Sequence, residues 1–155
     1  MTNKEIIQQF YSAFAEGDAE SMVKHYSNDI KFNDPAFGLL QGEDARNMWR
    51  MLIRNGNGTI RIVCTDVDAN EKTGSAKWTA KYIFSKTGRT VINNITAHFE
   101  FQDGKITRHT DEFDLWKWSQ QAFGWKGYLL GRTTFMKNKI REYAIASLKK
   151  YNASK

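Results

Sequence analysis

A 155-residue chain with 41% hydrophobic and 26% charged side chains has the size and balance of one globular domain, too apolar for a disordered segment. Its lone cysteine, Cys64, excludes a disulfide framework and a cysteine zinc site, and no run approaches the roughly 20 apolar residues of a membrane span. The net charge of +6 sits at the end of the chain, where residues 132–155 hold seven basic side chains and one acid, Glu142.

The chain opens as a helix. Thr2-x-x-Glu5 reads as a capping box, and Ile6, Ile7, Phe10, Ala13 and Phe14 recur at helical spacing up to Gly17. Asp18 is placed to cap a second short helix carrying Met22, Val23 and Tyr26. A brief strand, Ile30-Lys31-Phe32-Asn33, then runs into Asp34-Pro35, and proline ends its ladder. A third helix is predicted from about Glu43 to Arg54, with Ala45, Met48, Trp49, Leu52 and Ile53 on one face.

From Thr59 to about Leu115 the period changes. Four long runs of β-branched and aromatic residues are broken at Asn70–Gly74, at Lys86-Thr87-Gly88 and at Asp103-Gly104. Turns this short join antiparallel neighbours. Trp78, Ala80, Tyr82 and Phe84 alternate with lysine and threonine, as do Val91, Ile95, Ala97, Phe99 and Phe101 with polar residues. One sheet face is therefore core and the other wet. Glycines 124, 127 and 131 break the aromatic stretch of Trp116, Trp118, Phe123 and Trp125 into irregular or short helical pieces that cover the cone's mouth or extend a dimer. A last helix, about Thr134 to Lys150, carries Met136, Ile140, Tyr143, Ala144 and Leu148 as its stripe and leaves its lysines in solvent. The fold class is α+β: a single cone-shaped domain with three N-terminal helices on a curved, mostly antiparallel sheet and an extra C-terminal helix.

Polar residues on the core face are the informative exceptions. Thr107, His109, Asp111, Phe113 and Leu115 share a face, opposite Arg108, Thr110, Glu112 and Asp114. His109 and Asp111 thus point inward, where they either satisfy each other or serve a pocket. Asp34 is a second candidate, beside the plain reading of Asn-Asp-Pro as turn chemistry. Tyr11 borders the apolar stripe of the first helix with its hydroxyl available, and Asn93 has core parity with Ile95.

Phe10-Tyr11-Ser12-Ala13-Phe14-Ala15-Glu16-Gly17-Asp18, Tyr26 through Pro35, and His98-Phe99-Glu100-Phe101 before Asp103-Gly104-Lys105-Ile106 resemble ketosteroid isomerases and SnoaL-like polyketide cyclases of the nuclear transport factor 2-like superfamily. The resemblance covers about residues 3–115 of a single 1–155 domain, with 116–155 as a helical extension. It implies proton transfer on a small apolar carbonyl compound held in the cone. Asp34 matches the isomerase general base and Tyr11 the oxyanion tyrosine. The second oxyanion donor falls on Ala97, so His109 would have to substitute for it. His109 and Asp111 look like the inward acid and base groups of the cyclases. Ile95, Ala97, Trp78, Tyr82, Phe113 and Asn93 are expected to line the pocket. The superfamily often pairs through the outer sheet face, and a homodimer is expected here through Ile83, Ile92, Thr96, His98 and Thr110.

The same fold also supports a non-catalytic binding or interaction domain. No cofactor, metal, nucleic-acid or membrane partner is expected. Three histidines offer no ligand set, and Gly56-Asn57-Gly58 lacks the setting of a nucleotide loop. The basic tail reads as a solvated face. The polar start, Met1-Thr2-Asn3-Lys4-Glu5, and the single cysteine suggest a cytoplasmic protein.

Overall fold

The computed structural model describes residues 1–154. Helix α1 (Asn3–Glu16) begins at Thr2, whose hydroxyl oxygen accepts from the Glu5 N–H at 3.1 Å. It ends at Gly17, where a φ of +75° turns the chain away. Asp18 caps α2 (Ala19–Val23) by accepting from the Ser21 N–H. Strand β1 (Tyr26–Asp34) and strand β2 (Gly38–Gln41) form a hairpin, and α3 (Glu43–Gly56) follows. Strands β3 (Arg61–Ala69), β4 (Thr73–Phe84), β5 (Arg89–Gln102) and β6 (Lys105–Glu112) are the four expected runs. Helices α4 (Leu115–Phe123), α5 (Trp125–Leu130) and α6 (Thr134–Ala153) complete the chain.

Two expectations change at the first strand. Tyr26 opens β1 rather than riding on α2, because it pairs with Ile106 of β6, a partner remote in sequence. That strand is consequently nine residues long rather than four. Strand β2 was not expected. Its four residues become a strand only because the Asp34–Phe37 turn folds them back onto β1.

The sheet order is β2-β1-β6-β5-β4-β3, antiparallel throughout except where β6 runs parallel to β1. Irregularities in β3, β6 and β1 bend it, and the β3 irregularity contains Asp66 at φ +54°. The concave face takes the helices. Ile7, Phe10 and Phe14 of α1, Met48 and Trp49 of α3, and Trp78, Ile95 and Phe99 of the sheet are buried together. At Gly74 a Cβ would come within 2.7 Å of the Ile7 side chain, so glycine there lets α1 settle against β4.

The aromatic stretch forms two short helices, as its glycines suggest. Strand β6 stops at Glu112, leaving β5 before Thr96 without that neighbour. Gln121 of α4 fills the gap: its side chain accepts from the Ile92 N–H (2.7 Å) and donates to the Ile92 carbonyl (2.9 Å). A second apolar cluster forms beneath it from Phe84, Val91, Leu115, Trp118, Ala122 and Ile140, closing the wide end of the cone. On α6, Ile140, Ala144 and Leu148 are buried as expected, while Tyr143 stays exposed with its ring against Phe84. Lys137, Lys139, Lys149 and Lys150 are in solvent; Lys155 lies outside the described residues. No helix among the described residues is long and apolar enough to cross a membrane.

Candidate functional site

The parallel β1–β6 pair creates the most unusual feature of the interior. Phe32 is opposite His109 and Asn33 is opposite Thr110. The next step along this register places Asp34 beside Asp111, both with the parity of the buried face. On the other side Asp111 faces Ala97, and Ala97 faces Ala76. One row across the concave face therefore reads Asp34, Asp111, Ala97, Ala76: two carboxyls followed by two small side chains.

Asp111 and His109 belong to a buried hydrogen-bonded chain. Trp49 Nε1–H donates to the Tyr26 hydroxyl oxygen (2.8 Å), which lies 2.7 Å from His109 Nδ1. His109 Nε2 is 2.9 Å from Asp111 Oδ1, and Trp78 Nε1–H reaches the same oxygen at 3.4 Å. Counting donors fixes the direction. A charged Asp111 only accepts, so the ring hydrogen sits on Nε2; Nδ1 then accepts the Tyr26 hydroxyl hydrogen, while Trp49 donates to the Tyr26 oxygen. The ring is fully buried between Phe99, Phe32, Phe10 and Trp49, with centroids 4.4 to 5.9 Å away. Both nitrogens of His109 are thus committed.

Asp34 is in a different state. Burial, and secondarily the charge on Asp111, push its carboxyl from 3.8 up to about 7, against backbone N–H donors from Phe37 and Ala36 and the more distant Arg141 guanidinium. The Phe37 N–H reaches Asp34 Oδ1 at 2.6 Å, so the turn reading and the candidate-acid reading are both visible in one side chain. Tyr11 lies inside the core with a hydroxyl that has no hydrogen-bond partner among the described residues. Burial, and then the charge on Asp111, raise its pKa well above the ordinary value, so the hydroxyl keeps its proton. Tyr82 accepts from Trp118 Nε1–H at 2.7 Å, and Asp34 acts on its hydroxyl electrostatically.

The structure therefore brings Asp34, Asp111 and His109 onto one face of the sheet, and packs Tyr11 of α1 against that face through Trp78 and Phe99. Ala97, Ile95, Trp78 and Asn93 are buried on that face, and Tyr82 and Phe113 are half-buried toward the wide end. Tyr26 and Trp49 escaped sequence reasoning as polar partners. Tyr26 shares parity with Ile30, Phe32 and Asp34, which was the available signal. Trp49 looked like any core aromatic of α3. His25, just before β1, also has a buried unpartnered Nε2, and burial lowers its pKa.

Two cavities lie near this row without entering it. An open depression of about 540 Å³ on the outer sheet face is lined by His98, Glu100, Arg108 and Thr110, on the wrong side of the sheet for the candidates. A second, about 430 Å³, lies at the wide end against Pro35 and Phe113. No group of three or more His, Cys, Asp or Glu positioned to hold a metal ion occurs among the described residues.

A concave sheet wrapped by helices around a buried acid and tyrosine defines the class of small cone-shaped α+β domains. Residues 7–109 match the SnoaL-like domain, and the chain belongs to that family. Solved structures agree on the fold. A candidate polyketide cyclase from Xanthomonas campestris pv. campestris is 23% identical over 76% of this chain and 94% of its own, with a TM-score of 0.62. One from Pseudomonas putida is 22% identical over 79% and 98%, at 0.63. A protein with a ketosteroid isomerase-like fold from Catenulispora acidiphila, solved with trimethylamine, is 13% identical over 78% and 94%, also at 0.63. At these identities the likeness establishes architecture. No curated protein matches the chain.

Proposed function

We propose that this chain catalyses proton transfer at the carbon next to a carbonyl group of a small, mostly apolar compound bound against the Asp34–Asp111 row. The observation that carries the reading is the Asp34 carboxyl, raised to about 7 by burial and by its neighbouring acid. A base is most effective when its pKa lies near the working pH. Asp34 takes the proton from carbon while the C–H electron pair moves to the carbonyl oxygen as an enolate. Tyr11 donates its unspent O–H to that oxygen. Asp34 then returns the proton at another carbon, or the enolate carbon attacks a second carbonyl and the ring so formed takes the proton. Asp111 sustains the proton affinity of Asp34, and His109 acts through Asp111 as a positioning residue. Candidate polyketide cyclases among the structural neighbours agree with a ketone-bearing substrate.

The test is turnover on a panel of β,γ-enones and polyketide-like ketones. Asp34→Asn should abolish it, and Tyr11→Phe should lower it about 10²-fold, the usual cost of one oxyanion donor. The rate should rise with pH through about 7 as Asp34 ionises. Full rate in both variants on an accepted substrate would overturn the assignment. Binding of apolar ligands without any turnover would instead favour a carrier.

The functional unit on this reading is a homodimer paired through the outer sheet face. Val63 (62%), Ile83 (59%) and Ile92 (47%) are exposed there on adjoining strands. A stable pair would bury upwards of about 1,000 Å² in total.

A further inference from the structure

The cavity at the wide end has a chemical character that the basic tail alone did not suggest. Arg132, Lys137 and Arg141 line it together with Phe113, Leu115 and Trp116, in a volume of about 430 Å³. That volume suits a small molecule. None of the three cations forms an ion pair among the described residues. Asp114 is the acid in the lining, and its Oδ1 is taken by the Trp116 and Lys117 N–H groups as the cap of α4.

Each cation is held differently. The Arg132 guanidinium lies 3.6 Å over the Trp116 ring, which is itself pinned by a bond from Trp116 Nε1–H to the Tyr128 carbonyl. Arg141 donates Nε–H to the Ala36 carbonyl (2.7 Å) and Nη2–H to the Pro35 carbonyl (3.3 Å), leaving Nη1 uncommitted. Lys137 has no hydrogen-bond partner for its ammonium among the described residues. Two positioned guanidinium groups and an ammonium, outnumbering the single lining acid Asp114, form an anion site with an apolar wall of Phe113, Leu115 and Trp116.

Its position relative to the reacting groups follows from the chain. Pro35 lines the cavity and directly follows Asp34, and Phe113 lines it two residues beyond Asp111, just past the end of β6. Arg141 spans the two regions, because its charge also reaches the Asp34 carboxyl.

We propose that this cavity is a carboxylate subsite, so that the substrate is a small carbonyl compound with an anionic carboxylate at one end and an apolar body directed toward Asp34. This deepens the catalytic reading above and rests on it for the word substrate; the binding claim stands alone. Isothermal titration calorimetry of the full chain with 2-naphthoate and with its neutral methyl ester tests it. The acid should bind about tenfold more tightly than the ester at low salt, as a charge-assisted contact warrants, and lose most of that advantage at high salt. The double variant R132Q/K137Q should bring the ratio close to one. K149Q/K150Q removes the same charge from the exposed end of α6 and should leave the ratio intact.

Equal affinity for acid and ester would overturn the proposal. So would loss of preference in K149Q/K150Q, which would show a diffuse field instead of a site. Competition by inorganic phosphate as strong as that by naphthoate would overturn the carboxylate assignment. Failure here is separable from failure of the catalytic reading. Asp34→Asn should keep the acid preference while losing turnover, and turnover of neutral ketones by the wild-type chain tests the catalytic reading without involving the subsite.

Discussion

Replacing Asp34 with asparagine tests the site through stability, because the carboxyl proposed as base also burdens the fold. Asparagine keeps the oxygen that accepts from the Phe37 N–H and deletes the charge. Asp34 is raised from 3.8 to about 7, so the folded chain holds the proton more tightly than the unfolded chain. For a carboxyl shifted in this direction, stability is undiminished below pH 3.8, is lost as the pH rises from there through about 7, and stays low above that. At about 1.4 kcal/mol per pKa unit, ionisation costs the fold about 4 kcal/mol at pH 9 but only about 2 kcal/mol at pH 5. The difference, about 2–3 kcal/mol, is the measurable quantity. Urea unfolding of both proteins, followed by tryptophan fluorescence, should show the asparagine variant gaining that much on the wild type between the two pH values. A stability difference independent of pH, or one favouring wild type more at high pH, would refute the placement of Asp34 in a dry, acid-flanked position.

Tyr26→Phe preserves the ring stacked on Phe10 at 5.5 Å but strands both Trp49 Nε1–H and His109 Nδ1, so it should cost about 2–4 kcal/mol in the same urea assay. Gln121→Ala should cost about 1–2 kcal/mol and speed hydrogen exchange at the Ile92 amide, the group that its side chain covers. Sedimentation should give a dimer at tens of micromolar and a monomer for the double variant Ile83→Lys/Ile92→Lys; a monomeric wild type would remove the outer-face pairing.

What the sequence revealed follows the range of the forces involved. Helix α1 was legible because its cap, its apolar stripe and its Gly17 stop are all local. The meander was legible because alternation and short turns are local too. Strand β2 and the strand state of Tyr26 were not, since both exist by pairing with residues elsewhere in the chain. The same limit applies to the site. The inward parity of His109 and Asp111 could be read from one strand, and Asp34 stood out beside its proline. Their adjacency could not, because no residue pattern announces that β6 will lie parallel to β1. Arg132, Lys137 and Arg141 looked like the rest of a solvated basic tail. Only the Ala36 and Pro35 carbonyls and the Trp116 ring distinguish two of them.

The hydrogen-bond inventory of the row constrains which carbon acids it can serve. His109 has no N–H to spare for an enolate oxygen, since Nδ1 accepts from Tyr26 and Nε2 faces Asp111. Ala97 brings no donor at the position where the isomerase resemblance calls for one. Tyr11 is then the hydroxyl left to stabilise the developing charge. One missing oxyanion donor is worth about 3 kcal/mol, equivalent to about two pKa units of carbon acidity. A substrate whose reacting carbon lies between two carbonyl groups is more acidic than a simple enone by more than that deficit. On the proposed mechanism, 1,3-dicarbonyl compounds should therefore turn over at least 10²-fold faster than β,γ-enones of the same size, compared as kcat/KM. Equal rates on both classes would mean that a second donor acts in the row, and that the single-donor account of Tyr11 is wrong.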